Sequence, residues 1–321
     1  MIRFLRMTQE NVFGTYELTS PVATYIRMDE NNSFRPMSVP QRWNVPDGTG
    51  QNIPALTGSQ TTLLQGKFRH RLCYSTLPFV LGLAGVRVNA GQTSPWVTDQ
   101  LQYDLASATI DFAWTYSDAS VKRQRYLGVK AVGVTITSDG KGNDPHVYAE
   151  LDLVASVCQG NAFDASVDPT AVAFPAPTLA QLPSDYIFHQ DAKGAVSIGG
   201  TPRTLFDNLH VEIKSVVKPY FDESRFANRI RCHGRHCTWS MRSLLRPTPT
   251  DRATWESTGS LGATQIAFVN GSHNLTLDFY ATNYLDSVQE DFVLDDEAYY
   301  VIGGTSYLDA TGGADLLVTY A

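Results

Sequence analysis

The stretch Lys67-Phe68-Arg69-His70-Arg71-Leu72 alternates polar and apolar side chains, and it runs directly into Thr76-Leu77-Pro78-Phe79-Val80-Leu81-Gly82-Leu83-Ala84. Alternation with period two predicts a half-buried strand, and the apolar run opened by a hydroxyl residue predicts a short capped helix at 76–85. The same succession recurs at residues 237–259. There a strand passes through Trp239, Met241 and Leu244, Thr250-Asp251 opens a helix over 250–259, and Gly259 closes it. A long extended hairpin precedes each pair and further strands follow it. The chain therefore reads as mainly β, an antiparallel β-sandwich or barrel with short helices, built as two similar units in tandem. Neither copy carries a catalytic signature, which points to an assembly subunit rather than an enzyme.

The period-two pattern continues outward from these stretches. Ala108, Ile110, Phe112, Trp114 and Tyr116 are predicted on one face of a strand, with Thr109, Asp111, Ala113 and Thr115 on the other. Val132, Val134 and Ile136 repeat it, and Val147, Ala149, Leu151, Leu153 and Val157 follow, with Glu150, Asp152 and Ser156 opposite. Such runs describe antiparallel strands with one buried face. In the second half, a turn at Gly199-Gly200 leads to a strand with Leu209, Val211 and Ile213 inward.

Residues 1–24 read as an N-terminal arm, 25–158 as the first unit, 159–185 as a linker and 186–321 as the second unit. Pro36, Pro40, Pro46 and Pro54 crowd residues 34–60. Proline lacks a donor for a central ladder, so this segment is expected to be an exposed hairpin or loop. Residues 216–230 form its counterpart. Both are candidate contacts with neighbouring molecules, through Pro40, Trp43 and Pro46 in the first and Tyr220 and Phe221 in the second.

Composition narrows the function class. The chain has 321 residues, 18% of them charged, with a formal net charge of −7. A protein that grips nucleic acid through its phosphates normally shows a basic excess, so a DNA-wrapping or sequence-reading role is disfavoured. No apolar run is long enough for a membrane-spanning helix, and the charged N-terminus does not fit a signal peptide. Four cysteines do not make a disulfide framework, which leaves a reducing compartment as the default.

Cys232-His233-Gly234-Arg235-His236-Cys237 invites a zinc reading. On a regular strand Cys232 and His236 face one way while His233 and Cys237 face the other, so four ligands do not converge, and no second pair exists. Packed, unliganded cysteines are expected, with no metal and no cofactor. The acidic run Asp286, Glu290, Asp291, Asp295, Asp296 and Glu297 lacks the spacing of a calcium loop and reads as a solvated edge. Lys122-Arg123-Gln124-Arg125-Tyr126 is a short basic patch, open to a subunit contact or a phosphate. Asn270-Gly-Ser and Asn274-Leu-Thr match the glycosylation pattern and carry little weight without a secretion signal. Nucleophile elbow, zincin, P-loop and dinucleotide fingerprints do not occur in the sequence.

Several of these residues also resemble a family. Glu10-Asn11-Val12-Phe13-Gly14-Thr15-Tyr16, followed by Ala23-Thr24-Tyr25-Ile26-Arg27 and Asn31-Asn32-Ser33-Phe34, is similar to the N-termini of tail tube proteins of long-tailed bacteriophages. Gly66 to Leu72 with Leu77-Pro78-Phe79-Val80-Leu81-Gly82, and Arg125-Tyr126-Leu127-Gly128-Val129-Lys130, resemble that family's later elements, as do Leu209–Val217 and Cys237–Leu245. The resemblance implies a subunit whose sheets join between neighbours around a channel. Its rings would hold six copies, or three if each chain holds two units, and would stack into a tube that conducts DNA. Its partners would be further copies, a tape-measure protein, tail terminator and distal tail proteins, and DNA in transit. It would be assembled in the host cytoplasm and reside in the virion. Acidic residues lining the lumen would keep DNA from adsorbing, with Asp111, Glu150, Asp152 and Asp278 the candidates. Alternatives are a free-standing carbohydrate-binding sandwich using Trp43, Trp96 or Trp255, a metal-dependent hydrolase at 232–237, and another virion component such as a terminator or decoration protein.

Overall fold

A computed structural model describes residues 4–15, 23–27, 33–39, 42–46, 52–57, 61–85, 87–88, 106–115, 121–140, 144–159, 182–192, 196–203, 206–221, 227–243, 249–271, 273–279, 283–292, 298–306 and 316–320. The chain starts with β1 (Phe4–Gln9), β2 (Ala23–Arg27), β3 (Ser33–Val39), β4 (Arg42–Pro46), β5 (Asn52–Thr57) and β6 (Thr61–Arg71). Helix α1 (Leu77–Leu83) precedes β7 (Arg87–Val88), β8 (Ala108–Thr115), β9 (Val121–Asp139), β10 (Tyr148–Ala155) and β11 (Val157–Gln159). Then come β12 (Val196–Ile198), β13 (Thr201–Arg203), β14 (Phe206–Tyr220) and β15 (Arg229–Ser243). Helix α2 (Pro249–Thr258) leads to β16 (Thr264–Asn270), β17 (His273–Phe279), β18 (Asn283–Phe292), β19 (Ala298–Ser306) and β20 (Leu316–Tyr320). The fold is mainly β and almost wholly antiparallel, the pairing of β7 with β20 being parallel.

One long sheet runs β18-β19-β15-β14-β9-β10-β6-β3. Strand β9, 19 residues long, belongs to two ladders. Its second half pairs with β10 and β14, while its first half pairs with β8 and β11, and β8 carries β1 and β2 beyond it. Gly128 sits where the two ladders meet, with φ +63, a conformation in which a Cβ is strained. A side chain there would also lie 2.8 Å from the Phe13 ring. A six-stranded sheet, β13-β12-β16-β17-β20-β7, covers part of the long sheet's inner face. Trp239 of β15 meets Phe279 of β17 with ring centroids 6.0 Å apart, and Phe68 of β6 meets Phe112 of β8 edge-on at 6.5 Å.

Most of the predicted inward residues bury, but Val132, skipped by the β9·β10 ladder, and Val157 are only half-buried, while Ser156, predicted outward, is buried. Val147, Ala149, Leu151 and Leu153 are at most 2% exposed, and Leu209, Val211 and Ile213 at most 1%. Burying a side chain of this size stabilises by roughly 1.5–3 kcal/mol. One core cluster extends from Leu5 to Val318, so both halves of the chain share a single sheet and a single core. Of α1, six of seven residues are buried, and Pro78 lies in the first turn where its missing N–H costs no bond. In α2 only Trp255 is buried, and Gly259, at φ +65, donates its N–H to the Trp255 carbonyl at 2.7 Å to end the helix.

Four expectations are corrected. The strand holding Ala108–Phe112 is buried on both faces rather than one, because polar residues pack against its second side. The second strand–helix junction begins far earlier than residue 237, since β15 starts at Arg229 and contains the Cys232–Cys237 run. That run is not a regular strand: the ladder skips His233 between Cys232 and Gly234, and this bulge brings both Cys232 and Cys237 to buried positions while His236 is exposed. Finally, Pro36 does lie in a strand, although one at the end of the sheet, where a missing donor is tolerated.

Candidate assembly surface

Two features of the long sheet bear on contacts with neighbours: its outer face, and the strands β3 and β18 at the two ends of its strand order. On the outer face, β6 presents Lys67 and Arg69, β10 presents Tyr148, Glu150 and Asp152, β9 presents Thr135 and Thr137, and β14 presents His210, Glu212 and Lys214. These are the residues between the buried positions of each strand, so their direction follows from the pleat. Lys67 lies directly opposite Asp152, its Nζ 3.3 Å from Asp152 Oδ1 and 3.0 Å from Glu150 Oε1. Both carboxylates hold the Lys67 pKa above its ordinary value. Lys214 Nζ reaches Glu212 at 2.7 Å. Arg69 stacks over the Tyr148 ring at 4.3 Å.

At the β9–β10 end of this face Asp144 accepts from Arg71 at 3.0 Å and binds the His146 ring and the Tyr148 hydroxyl. The Tyr148 bond, with help from His146 and Arg71, holds the Asp144 carboxyl well below the usual carboxylate range. The surface is thus polar and densely hydrogen-bonded, and its charges are of both signs.

The four acids predicted to act together are separated. Glu150 and Asp152 share the outer face, where Lys67 offsets them. Asp278 of β17 lies on the six-stranded sheet, pointing away from the core, and accepts from Gln265 Nε2 at 2.7 Å. Asp111 is a correction. Its side chain is 0% exposed, and Arg125 Nε donates to it at 2.6 Å. It is a buried ion pair of β8 and β9 and cannot line a channel. The same contact takes Arg125 out of the predicted surface basic patch.

Glu10 forms a second buried polar node that sequence reading did not find. Its carboxylate accepts from the Gly128 N–H at 2.9 Å, the Gly14 N–H at 2.9 Å and Thr109 Oγ1 at 2.9 Å. Burial pushes its pKa up, with the hydrogen bonds opposing the rise. It ties the loop after β1 to the bend in β9. The sign in the sequence was Glu10 beside Gly14, but its long-range partners are invisible without the fold.

Of the candidate contact residues, Tyr220 and Phe221 stand at the end of β14. The Tyr220 ring has Lys218 Nζ at 5.6 Å and Arg231 Cζ at 5.9 Å, and with Asn228 and Arg229 it lines an open groove of about 390 Å³. Phe221 packs on a small cluster of Val154, Ala227 and Ile230. In the first hairpin, Trp43 and Pro46 occupy β4, with backbone partners Leu56 and Asn52 of β5. Pro40 lies outside the described residues, as do residues 160–181 of the expected linker and Trp96.

Among the described residues no group of three or more His, Cys, Asp or Glu side chains is placed to hold a metal, and Cys73, Cys232 and Cys237 are buried and outside any disulfide. No helix among them is long and apolar enough to cross a membrane. Trp255 is buried, with Arg203 over its ring at 5.5 Å, so it offers no exposed sugar platform. No protein-family model matches this chain, and no curated protein matches it.

Proposed function

We propose that this chain is a structural subunit that polymerises through its sheet edges into closed rings, and that the rings stack into a hollow tube of the kind found in the tails of long-tailed bacteriophages. The observation that carries the reading is the long sheet itself. It ends in two strands, β3 and β18, each paired on one side only among the described residues, and the outer face of its central strands is mainly polar where described, Val216 of β14 being an exposed exception. Unpaired strand edges are an aggregation hazard in a monomer, and closure into a ring removes them. A polar face closed upon itself would give a wetted channel.

On this reading the subunit is not an enzyme. Its mechanism is mechanical: rings of three copies, or six, stack around a tape-measure protein and later conduct double-stranded DNA. Terminator and distal tail proteins would close the two ends, and the assembled form would reside in the virion. The mixed charges around Lys67 supply a channel wall that neither grips nor strongly repels phosphate, a change from the purely acidic lumen expected from the net charge.

Negative-stain electron microscopy of the purified chain at rising concentration, with solution mass measured in parallel, tests the proposal. Rings or hollow tubes are expected. A chain that stays monomeric at high concentration would overturn it.

A further inference from the structure

On the long sheet, the strands of the first half stand in the order β3-β6-β10-β9 and those of the second half in the order β14-β15-β19-β18. Numbered along the chain, each set reads first, second, fourth, third. A helix follows the second strand of each set, α1 after β6 and α2 after β15. The agreement reaches down to a register fault. The β9·β10 ladder skips Val132 between the partners of Asp152 and Leu153. The β18·β19 ladder skips Asp286 between the partners of Gly303 and Gly304.

Superposing the two faults equates Leu151 with Ile302 and, through the next ladder, Phe68 with Met241. All four are core residues, so the burial phase matches as well. The same step equates Val134 with Val288 and Pro36 with Ile213.

Within one chain, β9 joins β14 and so couples the two sets. The counterpart of β9 is β18, and the counterpart of β14 is β3. These are the two strands at the ends of the sheet. We infer that β18 of one copy pairs antiparallel with β3 of the next copy, in the register of the β9·β14 junction. The internal ladder Thr137↔His210, Thr135↔Glu212, Val134↔Ile213 then becomes Asp291 opposite Ser33, Gln289 opposite Arg35 and Val288 opposite Pro36 in the neighbouring copy. The occupant is a second copy of this chain because the chain already contains the junction it would form.

The interface is head-to-tail, so it closes into a ring or winds into an open filament according to the rotation it imposes. Its sequence is complementary in charge: β18 holds Asp286, Glu290 and Asp291, and β3 holds Arg35. Pro36 removes one backbone donor from the seven residues of β3, a loss the longer ladder can absorb. The junction rests on the ring-forming reading only for closure.

The test is cysteine cross-linking of assembled protein under mild oxidation. The chain carrying Arg35→Cys and Gln289→Cys is expected to give a ladder of covalent multimers, because its two thiols lie at opposite ends of one sheet and meet only between copies. The out-of-register chain, Arg35→Cys with Val288→Cys, is expected to give at least tenfold less. Mixing the two single variants, Arg35→Cys and Gln289→Cys, should yield covalent dimers and nothing longer, which also serves if the double variant folds poorly. Rings or tubes that form without these cross-links would overturn the junction and leave the tube reading standing. In-register cross-links in particles that are not tubes would support the junction and overturn the tube. Equal cross-linking in both registers would overturn the junction.

Discussion

Arg125 of β9 holds Asp111 of β8 with two parallel bonds, Nε to Oδ1 at 2.6 Å and a terminal nitrogen to Oδ2 at 3.2 Å, and the carboxylate is wholly shielded from water. A planar fork facing a carboxylate is the geometry in which an arginine cannot be exchanged for lysine without loss. Removing Arg125 leaves the buried Asp111 with only the more distant Arg6, 3.9 Å away, and removing Asp111 takes the shared carboxylate from both arginines. Arg125→Met or Asp111→Ala is expected to destabilise the fold by about 3–5 kcal/mol. The double replacement should cost less than the sum of the singles, with a remainder from Arg6, which loses Asp111 in it as well. Urea unfolding of the two singles and the double closes this cycle.

His70 offers a pH prediction. It is fully buried, stacked on Phe68 at 5.1 Å, and neither ring nitrogen has a hydrogen-bond partner among the described residues. Burial without a partner pushes its pKa down from 6.5 to about 3. The unfolded chain therefore takes up a proton between those values that the folded chain refuses, so stability falls as pH drops below 6.5 and continues to fall toward 3. At about 1.4 kcal/mol per pH unit, the loss reaches roughly 2–3 kcal/mol near pH 4.5. His70→Leu should flatten this limb of a stability-against-pH curve by one proton. An unchanged slope would show that acid sensitivity arises elsewhere.

Gly128 is constrained twice, by its left-handed backbone and by the Phe13 ring above it. Gly128→Ala is expected to lower stability by about 1–3 kcal/mol. Adding Phe13→Ala should recover only part of that loss, because the truncation relieves the closest contact and leaves the backbone strain and the Ser156 Cβ 3.0 Å away. Thermal unfolding of the double variant separates the two causes.

Lys67 bridges Glu150 and Asp152 in full view of solvent. Lys67→Ala should change folding stability by under about 1 kcal/mol, since water screens exposed pairs. Its expected effect is on assembly. With the cation gone the outer face is more acidic, and ring formation, followed by light scattering, should become more dependent on added salt.

The parts of the fold that sequence made legible are those where one face of a strand meets the core and the other meets water. Val147 to Leu153 is such a case, as is Leu209 to Ile213. Thr109 and Asp111 defeat that reasoning because a polar residue normally marks a wet face, whereas here Glu10 and Arg125 come from distant positions to satisfy them. Cys232 and Cys237 pack as expected, but their relative facing defeats a regular-strand reading: a single bulge at His233 inverts the parity of everything beyond it, and no local residue pattern announces the bulge. Of the candidate surface, Glu150 and Asp152 were placed together by their spacing, but Lys67 comes from a strand some eighty residues earlier, and its neutralising role depends on register alone.

Strands β3 and β14 run in the same direction across the long sheet, so the turns that follow them leave from one end, while the β9–β10 and β18–β19 turns and the starts of both helices gather at the other. A copy of this chain consequently has two ends that carry different connections. A stack in which every copy faces the same way inherits that direction. It would lengthen at unequal rates at its two tips, and a protein able to stop growth at one tip would have nothing to recognise at the other.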